Sequence, residues 1–133
     1  MKKTGILNAD LARIVASMGH TDRLVVCDAG LPIPIGRTVV DLALTTNIPR
    51  FLETLEVVLQ ELQVEHAVVA VEMEQISNEV YQSVKDLLPD IAMESVPHTR
   101  FKELANGAGN VFFVRTGEAT PYANIILISG VTF

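Results

Sequence analysis

Short apolar runs of strand length alternate along this chain with longer segments whose apolar residues recur every three or four positions. The first such run is LVVC at residues 24–27, and the last is IILI at residues 125–128. Strand side chains repeat with a period of two and helical side chains with a period of 3.6, so the alternation distinguishes the two element types. Strands that alternate with helices favour parallel pairing. The sequence predicts a three-layer α/β/α sandwich around a mainly parallel, mixed sheet.

The predicted elements begin with a helix whose apolar face runs from Leu7 to Met18, with Asn8 as N-cap and Gly19 at the C′ position. The other predicted helices cover residues 49–63, 76–88 and 98–106. The predicted strands cover residues 24–27, 39–44, 66–71, 91–96, 111–114 and 125–128. Residues 28–38 should form a loop, because their glycines and prolines suit neither element.

Length, charge and cysteine content restrict the class of protein. A chain of 133 residues predicts a single domain over residues 1–133. The net charge of −6 and the lack of a basic stripe argue against a nucleic-acid partner. No run approaches the roughly 20 apolar residues that cross a bilayer, so no membrane partner is expected. The single cysteine, Cys27, allows no internal disulfide and fits a reducing, cytoplasmic location.

Titratable residues flank the first predicted strand, in the stretch GHTDRLVVCDAGLPIP at residues 19–34. Asp28 follows the strand, and His98 follows the strand that ends at Val96. Glu72 follows a third predicted strand, and ligands of parallel α/β sheets collect beyond the carboxyl ends of strands, so Asp28, Glu72 and His98 should share one edge. His20 precedes its strand and should start at the opposite edge. Its functional partner could therefore lie across a subunit contact.

Tyr122 and Asn124 lie two residues apart just before the last predicted strand, so we expect their side chains on one face. A tyrosine hydroxyl beside an asparagine amide is suited to a polyhydroxy ligand. The alternative is that both residues belong to an edge turn and have no ligand.

Each titratable candidate also has a purely structural interpretation. His20 could cap a helix end, Asp28 could form a turn, and His98 could simply begin a helix. Cys27 fits a small buried hydrophobe better than a nucleophile. His20, Asp28 and His98 match no strong metal-ligand spacing, so no metal is expected. Dinucleotide, phosphate-loop, serine-hydrolase and zinc-protease motifs are missing from the sequence.

Several stretches together resemble the ribose pyranase and fucose mutarotase family of small sugar-ring isomerases. They are KKTGILN, GHTDRLVVCDAGLPIP, VDLAL with NIPRF, PHTRFKEL and RTGEATPYANIILISGV, which span nearly the whole chain. The most specific are GHTD with DAGLP and RTGE with TPYAN, in this order and at this chain length.

The resemblance implies an isomerase that interconverts the β-pyranose and β-furanose forms of a monosaccharide, here D-ribose. It implies that His20 is the catalytic acid/base. It implies sugar contacts from Asp28, His98, Tyr122 and Asn124, with the Ala123 backbone between the last two. It also implies a homo-oligomer, a decamer of two pentameric rings with sites at subunit contacts, and no metal or organic cofactor.

Three other functions stay open at this point. A non-catalytic sugar-binding or transport-accessory protein would need Asp28, Tyr122 and Asn124 but not His20. A scaffold subunit would need none of these residues. A nucleotide-binding α/β domain is disfavoured by the missing glycine-rich loop.

Overall fold

Five parallel strands and one antiparallel strand form a single six-stranded sheet in the computed structural model, which describes residues 1–133. The strands are β1 (Arg23–Cys27), β2 (Thr38–Asp41), β3 (Val64–Ala70), β4 (Ala92–Val96), β5 (Val111–Arg115) and β6 (Ile125–Ser129). Their order across the sheet is β2-β5-β1-β6-β3-β4. The antiparallel strand β6 lies between β1 and β3. The predicted mixed, mainly parallel sheet is therefore confirmed.

The structure has five helices, of which the first precedes β1: α1 (Ala9–Ser17), α2 (Phe51–Leu59), α3 (Val71–Ile76), α4 (Asn78–Leu87) and α5 (His98–Ala105). Asn8 is the N-cap of α1, because its Oδ1 accepts the Leu11 N–H at 2.9 Å. Met18 is the C-cap, and Gly19 follows it as predicted. The prediction for Leu7 was wrong: it precedes the helix and is largely exposed.

Several predicted boundaries also differ from the structure. Strand β2 ends at Asp41 and helix α2 at Leu59, both earlier than predicted. The helix predicted over residues 76–88 begins only at Asn78, and a separate short helix, α3, which was not predicted, precedes it and ends at Ile76. The Ser77 hydroxyl donates to the Pro121 carbonyl at 2.6 Å, which ties this break to the loop before β6. A hydrogen bond between distant segments has no signature in helical periodicity.

The two faces of the sheet bury two separate apolar cores. Leu24 and Val26 face the larger core, which is covered by α1, α2, α3 and α4, whereas Val25 and Cys27 face the smaller one. The smaller core is covered by α5, through the fully buried Phe101, and by the loop after β1. The second helical layer is thus a single helix, and that helix begins with His98. No helix of this structure is long and apolar enough to cross a membrane.

Candidate active site

The start of the antiparallel strand β6 lies at the same edge of the sheet as the ends of its parallel neighbours. Val26, next to last in β1, pairs with Ile125, the first residue of β6. Asp28 follows β1 directly, and Asn124 precedes β6 directly, so the two residues are neighbours. His98 follows β4 at this edge and lines the same cavity as Asp28. The expectation that Asp28 and His98 share one edge is confirmed.

Asp28 is held by three hydrogen bonds. Its Oδ1 accepts the Gly30 N–H at 2.9 Å, and its Oδ2 accepts from Asn124 Nδ2 at 3.0 Å. Its backbone N–H donates to Asn124 Oδ1 at 2.9 Å. The turn-forming interpretation of Asp28 is therefore correct, but the same carboxylate also lines a cavity. A carboxylate has about four acceptor positions, so lone pairs remain for hydrogen-bond donors of a ligand.

Tyr122 and Asn124 reach this cavity from a turn and not from the strand. Tyr122 has a left-handed φ of 62°, and the Asn124 N–H donates to the Tyr122 carbonyl at 2.8 Å. The strand-period argument for their common direction was therefore wrong, although both residues line the cavity. Between them Ala123 is fully buried in the larger core and is not among the residues that line the cavity.

His98 is fixed at the first position of α5. Its backbone N–H donates to Glu72 Oε2 at 2.9 Å, and Pro97, the N-cap, supplies no side-chain hydrogen bond. A carboxylate is stabilising at a helix N-terminus. The imidazole meets the Tyr122 ring edge-on with centroids 5.0 Å apart. Its Nδ1 is buried without a hydrogen-bond partner in the chain, which suits it to bind a hydroxyl group.

The cavity between these groups has a volume of about 450 Å³. It is lined by the following residues: Asp28, Ala29, Gly30, Leu31, Pro32, His98, Glu118, Ala119, Thr120, Pro121, Tyr122 and Asn124. A larger cavity of about 700 Å³ lies behind Glu118, Thr120 and Pro121, and it contains neither Asp28 nor His98. The smaller cavity therefore gathers four of the sequence candidates, which supply a carboxylate, an imidazole, a phenol and an amide, whereas His20 and Ala123 do not line it.

Glu118 joins the cavity wall to helix α2, although it is only 4% exposed. Its carboxylate accepts from Arg50 Nε and Nη2 at 3.1 and 3.0 Å and from the Phe51 N–H at 3.1 Å. Its carbonyl accepts the Ala29 N–H at 2.9 Å, beside Asp28. Burial alone would raise the pKa of Glu118. Hydrogen bonds from Arg50, Thr120 and Phe51, with the Arg50 charge, outweigh burial and lower that pKa to about 2.

His20 lies at the opposite edge of the sheet, as the sequence predicted. The five residues of β1 separate it from Asp28, and at 3.3 Å per residue that strand alone spans about 17 Å. His20 Nε2 is 2.9 Å from Glu65 Oε2, and both side chains are partly exposed. His20, Asp28 and His98 do not converge, and no group of three metal-ligating side chains is arranged around one point.

Cys27 has no place in this chemistry. It is fully buried in the smaller core, and its Sγ is 3.5 Å from the Val114 carbonyl. Burial and the neighbouring Asp28 charge raise the pKa of its thiol to about 12. A thiol that does not ionise near neutral pH is a poor nucleophile, so the prediction of a small buried hydrophobe holds.

Glu118 and Glu65 were not among the sequence candidates. Glu118 lies within RTGE, one of the specific stretches of the resemblance, but nothing local marks its partner Arg50, 68 residues away. Glu65 lies 45 residues from His20, at the start of a strand. No spacing rule connects either pair, because the tertiary fold alone brings them together.

The chain belongs to the RbsD / FucU transport protein family, whose model matches residues 1–132. It is 51% identical over 133 residues to a protein named D-ribose pyranase from Laribacter hongkongensis. It is 50% identical over 133 residues to a D-ribose pyranase from Coprothermobacter proteolyticus. In both cases the match covers all of each chain.

Solved structures extend this similarity to the fold. Bacillus subtilis RbsD complexed with D-ribose superposes with a TM-score of 0.94 at 43% identity, over the full length of both chains. A Streptococcus pneumoniae fucose mutarotase in complex with L-fucose has a TM-score of 0.78 at 22% identity. That match covers 96% of this chain and 95% of the other, and at this identity it shows the shared fold alone.

Proposed function

We propose that this protein is a D-ribose pyranase, an isomerase that interconverts the β-pyranose and β-furanose forms of D-ribose. The observation that carries the proposal is a sequence identity of about 50% over the full length to proteins with that name. A relative of nearly superposable fold was solved with D-ribose bound. The polar cavity beside Asp28 agrees with a small polyhydroxy ligand.

We assign sugar binding to Asp28, His98, Tyr122 and Asn124 and to the Ala123 backbone. The support is chemical: Asp28 has free acceptor lone pairs, and His98 Nδ1 has no partner within the chain. Asn124 keeps one N–H that Asp28 does not use. Donors and acceptors therefore line one cavity, which suits a sugar because each of its hydroxyls both donates and accepts hydrogen bonds.

His20 is the proposed acid/base. Opening the pyranose removes the proton of the anomeric hydroxyl and breaks the bond between C1 and the ring oxygen. The ring oxygen receives a proton, so an aldehyde and a new hydroxyl form without any redox change. Attack by the C4 hydroxyl on that aldehyde then closes the furanose. Imidazole suits both directions, because its ordinary pKa of about 6.5 lets it take and return a proton near neutral pH.

His20 and the cavity of one chain stand at opposite edges of the sheet, which favours a site shared between copies. We therefore propose that His20 of one subunit faces the Asp28 cavity of another. A closed ring allows every subunit to give one half of a site and receive the other. The family resemblance makes this assembly a homodecamer of two pentameric rings. The single buried cysteine fits the proposed cytoplasmic location.

The experiment that tests the function is NMR magnetisation transfer between the ring forms of D-ribose, with and without the protein. We expect catalysed exchange between β-pyranose and β-furanose signals and no net chemical conversion. Binding of ribose without faster exchange would identify a sugar-binding protein instead. L-Fucose in the same assay reports which sugar the cavity prefers.

A further inference from the structure

We propose that Glu65 is a positioning residue for His20, an inference that rests on the proposed proton-transfer role of His20. The Glu65 carboxylate, 2.9 Å from His20 Nε2, accepts the Nε2–H of the neutral ring. A histidine with one nitrogen protonated keeps the other as a proton acceptor. The pair therefore assigns proton exchange with the sugar to His20 Nδ1.

A β-bulge directs Glu65 toward His20. In β3, Val64 pairs with Ser129 and His66 pairs with Ile128, so two consecutive residues of β6 face three of β3. Glu65 is the additional residue. Val64 and Ala67 consequently lie in the same core, although an odd spacing would put them on opposite faces of a regular strand. Bulges re-aim side chains and are frequent beside active sites.

Gly130 leaves room for this side chain. A Cβ at Gly130 would lie 3.0 Å from Glu65 Cβ and 3.5 Å from Glu65 Oε2. Both contacts would be with Glu65, the residue that binds His20, and the 3.0 Å contact is shorter than ordinary van der Waals packing. The missing side chain at position 130 thus permits the path that the carboxylate takes.

The turn that carries His20 is anchored to the same end of β6. The Thr21 N–H donates to the Ser129 carbonyl, and the Ser129 N–H donates to the Asp22 carbonyl, both at 2.9 Å. Thr21 has a left-handed φ of 69°, which is strained for a β-branched residue. Strand β6 therefore holds the His20 turn on one side and the start of β3 on its other side.

Asp22, much nearer in sequence, is already engaged elsewhere. Its Oδ2 accepts the Gly19 N–H at 2.9 Å, and its Oδ1 accepts from Asn110 Nδ2 at 3.1 Å. The turn is thus shaped by one carboxylate, Asp22, while a different one, Glu65, binds the imidazole. The fold separates the two tasks.

Stability does not explain this construction. The His20 and Glu65 side chains are 52% and 43% exposed, and ion pairs at such sites add little to the free energy of unfolding. The β-bulge, the glycine without a side chain and the strained threonine nevertheless all help to position this histidine–glutamate pair. At a functional site, a carboxylate that binds a histidine fixes the orientation of the ring and its tautomer.

The test combines Glu65→Ala and Glu65→Gln with His20→Ala, and Glu94→Ala is the matched control. Glu94 forms the comparable pair with His66, at 3.5 Å on neighbouring strands. We expect Glu65→Ala to slow ribose exchange at saturating sugar by about 10–100-fold without weakening ribose binding. Long-range ¹H–¹⁵N NMR under alkaline conditions should show less of the Nε2–H tautomer of His20. Glu65→Gln should recover part of the exchange rate and part of the Nε2–H tautomer. Glu94→Ala should change neither the rate nor the tautomer.

The outcomes separate this inference from the proposed function. No catalysed exchange by the unaltered protein would overturn the function itself. If His20→Ala slows ribose exchange but Glu65→Ala changes neither the exchange rate nor the His20 tautomer, only the role of Glu65 is overturned. A double variant slower than His20→Ala would also overturn it, because a residue that acts through His20 has no further effect once His20 is gone.

Discussion

Asn124 and Asp28, 96 residues apart, are joined by two hydrogen bonds that use both ends of the Asn124 amide. Oδ1 accepts the Asp28 N–H, and Nδ2 donates to the Asp28 carboxylate. Asn124 is 1% exposed, so its orientation is set by this pair as much as by any ligand. We propose that the amide acts on a bound sugar in two ways, by one remaining N–H and by holding the carboxylate that lies beside it.

Asn124→Asp should damage both functions of that amide. The new carboxylate would face Asp28 Oδ2 at the present distance of 3.0 Å, and like charges there repel. We expect a loss of about 1–3 kcal/mol in the free energy of unfolding, together with weaker ribose binding. Urea denaturation and ribose titration measure the two effects. Asn106→Asp, at an exposed helix end, is the control, and equal behaviour of the two variants would remove Asn124 from the site.

Tyr122→Phe removes only a hydroxyl group from the cavity wall. Loss of one neutral hydrogen bond to the sugar should cost about 0.5–1.5 kcal/mol, a two- to tenfold rise in ribose Kd. Catalysed exchange should persist, because the proposed acid/base is unchanged. The chain offers its other tyrosine as a control, since Tyr81 lies on α4 with Lys85 over its ring. If Tyr81→Phe weakens binding equally, the Tyr122 hydroxyl has no specific contact with ribose.

His20→Ala should slow ribose exchange by about 10²–10⁴-fold, the usual effect of one acid/base, with the fold and ribose binding retained. His66→Ala is the control, because His66 is also a partly exposed histidine beside a glutamate. Magnetisation transfer at equal sugar occupancy measures both rates. Exchange as fast as that of the unaltered protein would transfer the proposed role to His98.

Mixed assemblies test whether the site is shared between subunits. His20→Ala and Asp28→Asn proteins should each be nearly inactive alone. Refolded together in equal amounts, they should regain about a quarter of the activity, the share of contacts at which both unaltered side chains meet. A mixture as inactive as its components would place His20 and Asp28 in the site of a single chain.

Glu118 should give the protein an acid-sensitive contribution to stability. Its folded pKa of about 2 lies below the ordinary 4.5, so folding favours the ionised form. That contribution is complete above about pH 4.5 and is lost as the pH falls towards 2. Glu118→Gln should lower stability at neutral pH by about 1.5–3 kcal/mol and flatten this acid dependence. Urea denaturation across this range checks it, and Glu103→Gln, in an exposed pair with Arg100, should keep the original slope.

Much of the secondary structure followed from local patterns. The apolar run at residues 24–27 became β1, and the His98 segment became α5 almost to the residue. Such patterns work because strand and helix periods are fixed by the backbone. The pattern did not reveal the short helix α3 or the break after it at Ser77, whose hydroxyl donates to the Pro121 carbonyl from another part of the chain.

Local sequence patterns were enough to predict the alternation of strands and helices, and with it the edge at which Asp28 and His98 lie. The antiparallel direction of β6 between β1 and β3 could be seen only in the folded chain. That direction brings Asn124 to Asp28 at one edge and sets Glu65 beside His20 at the other. Local periodicity reports which face of an element is buried, whereas contacts between residues 45 or 96 positions apart depend on strand order and register.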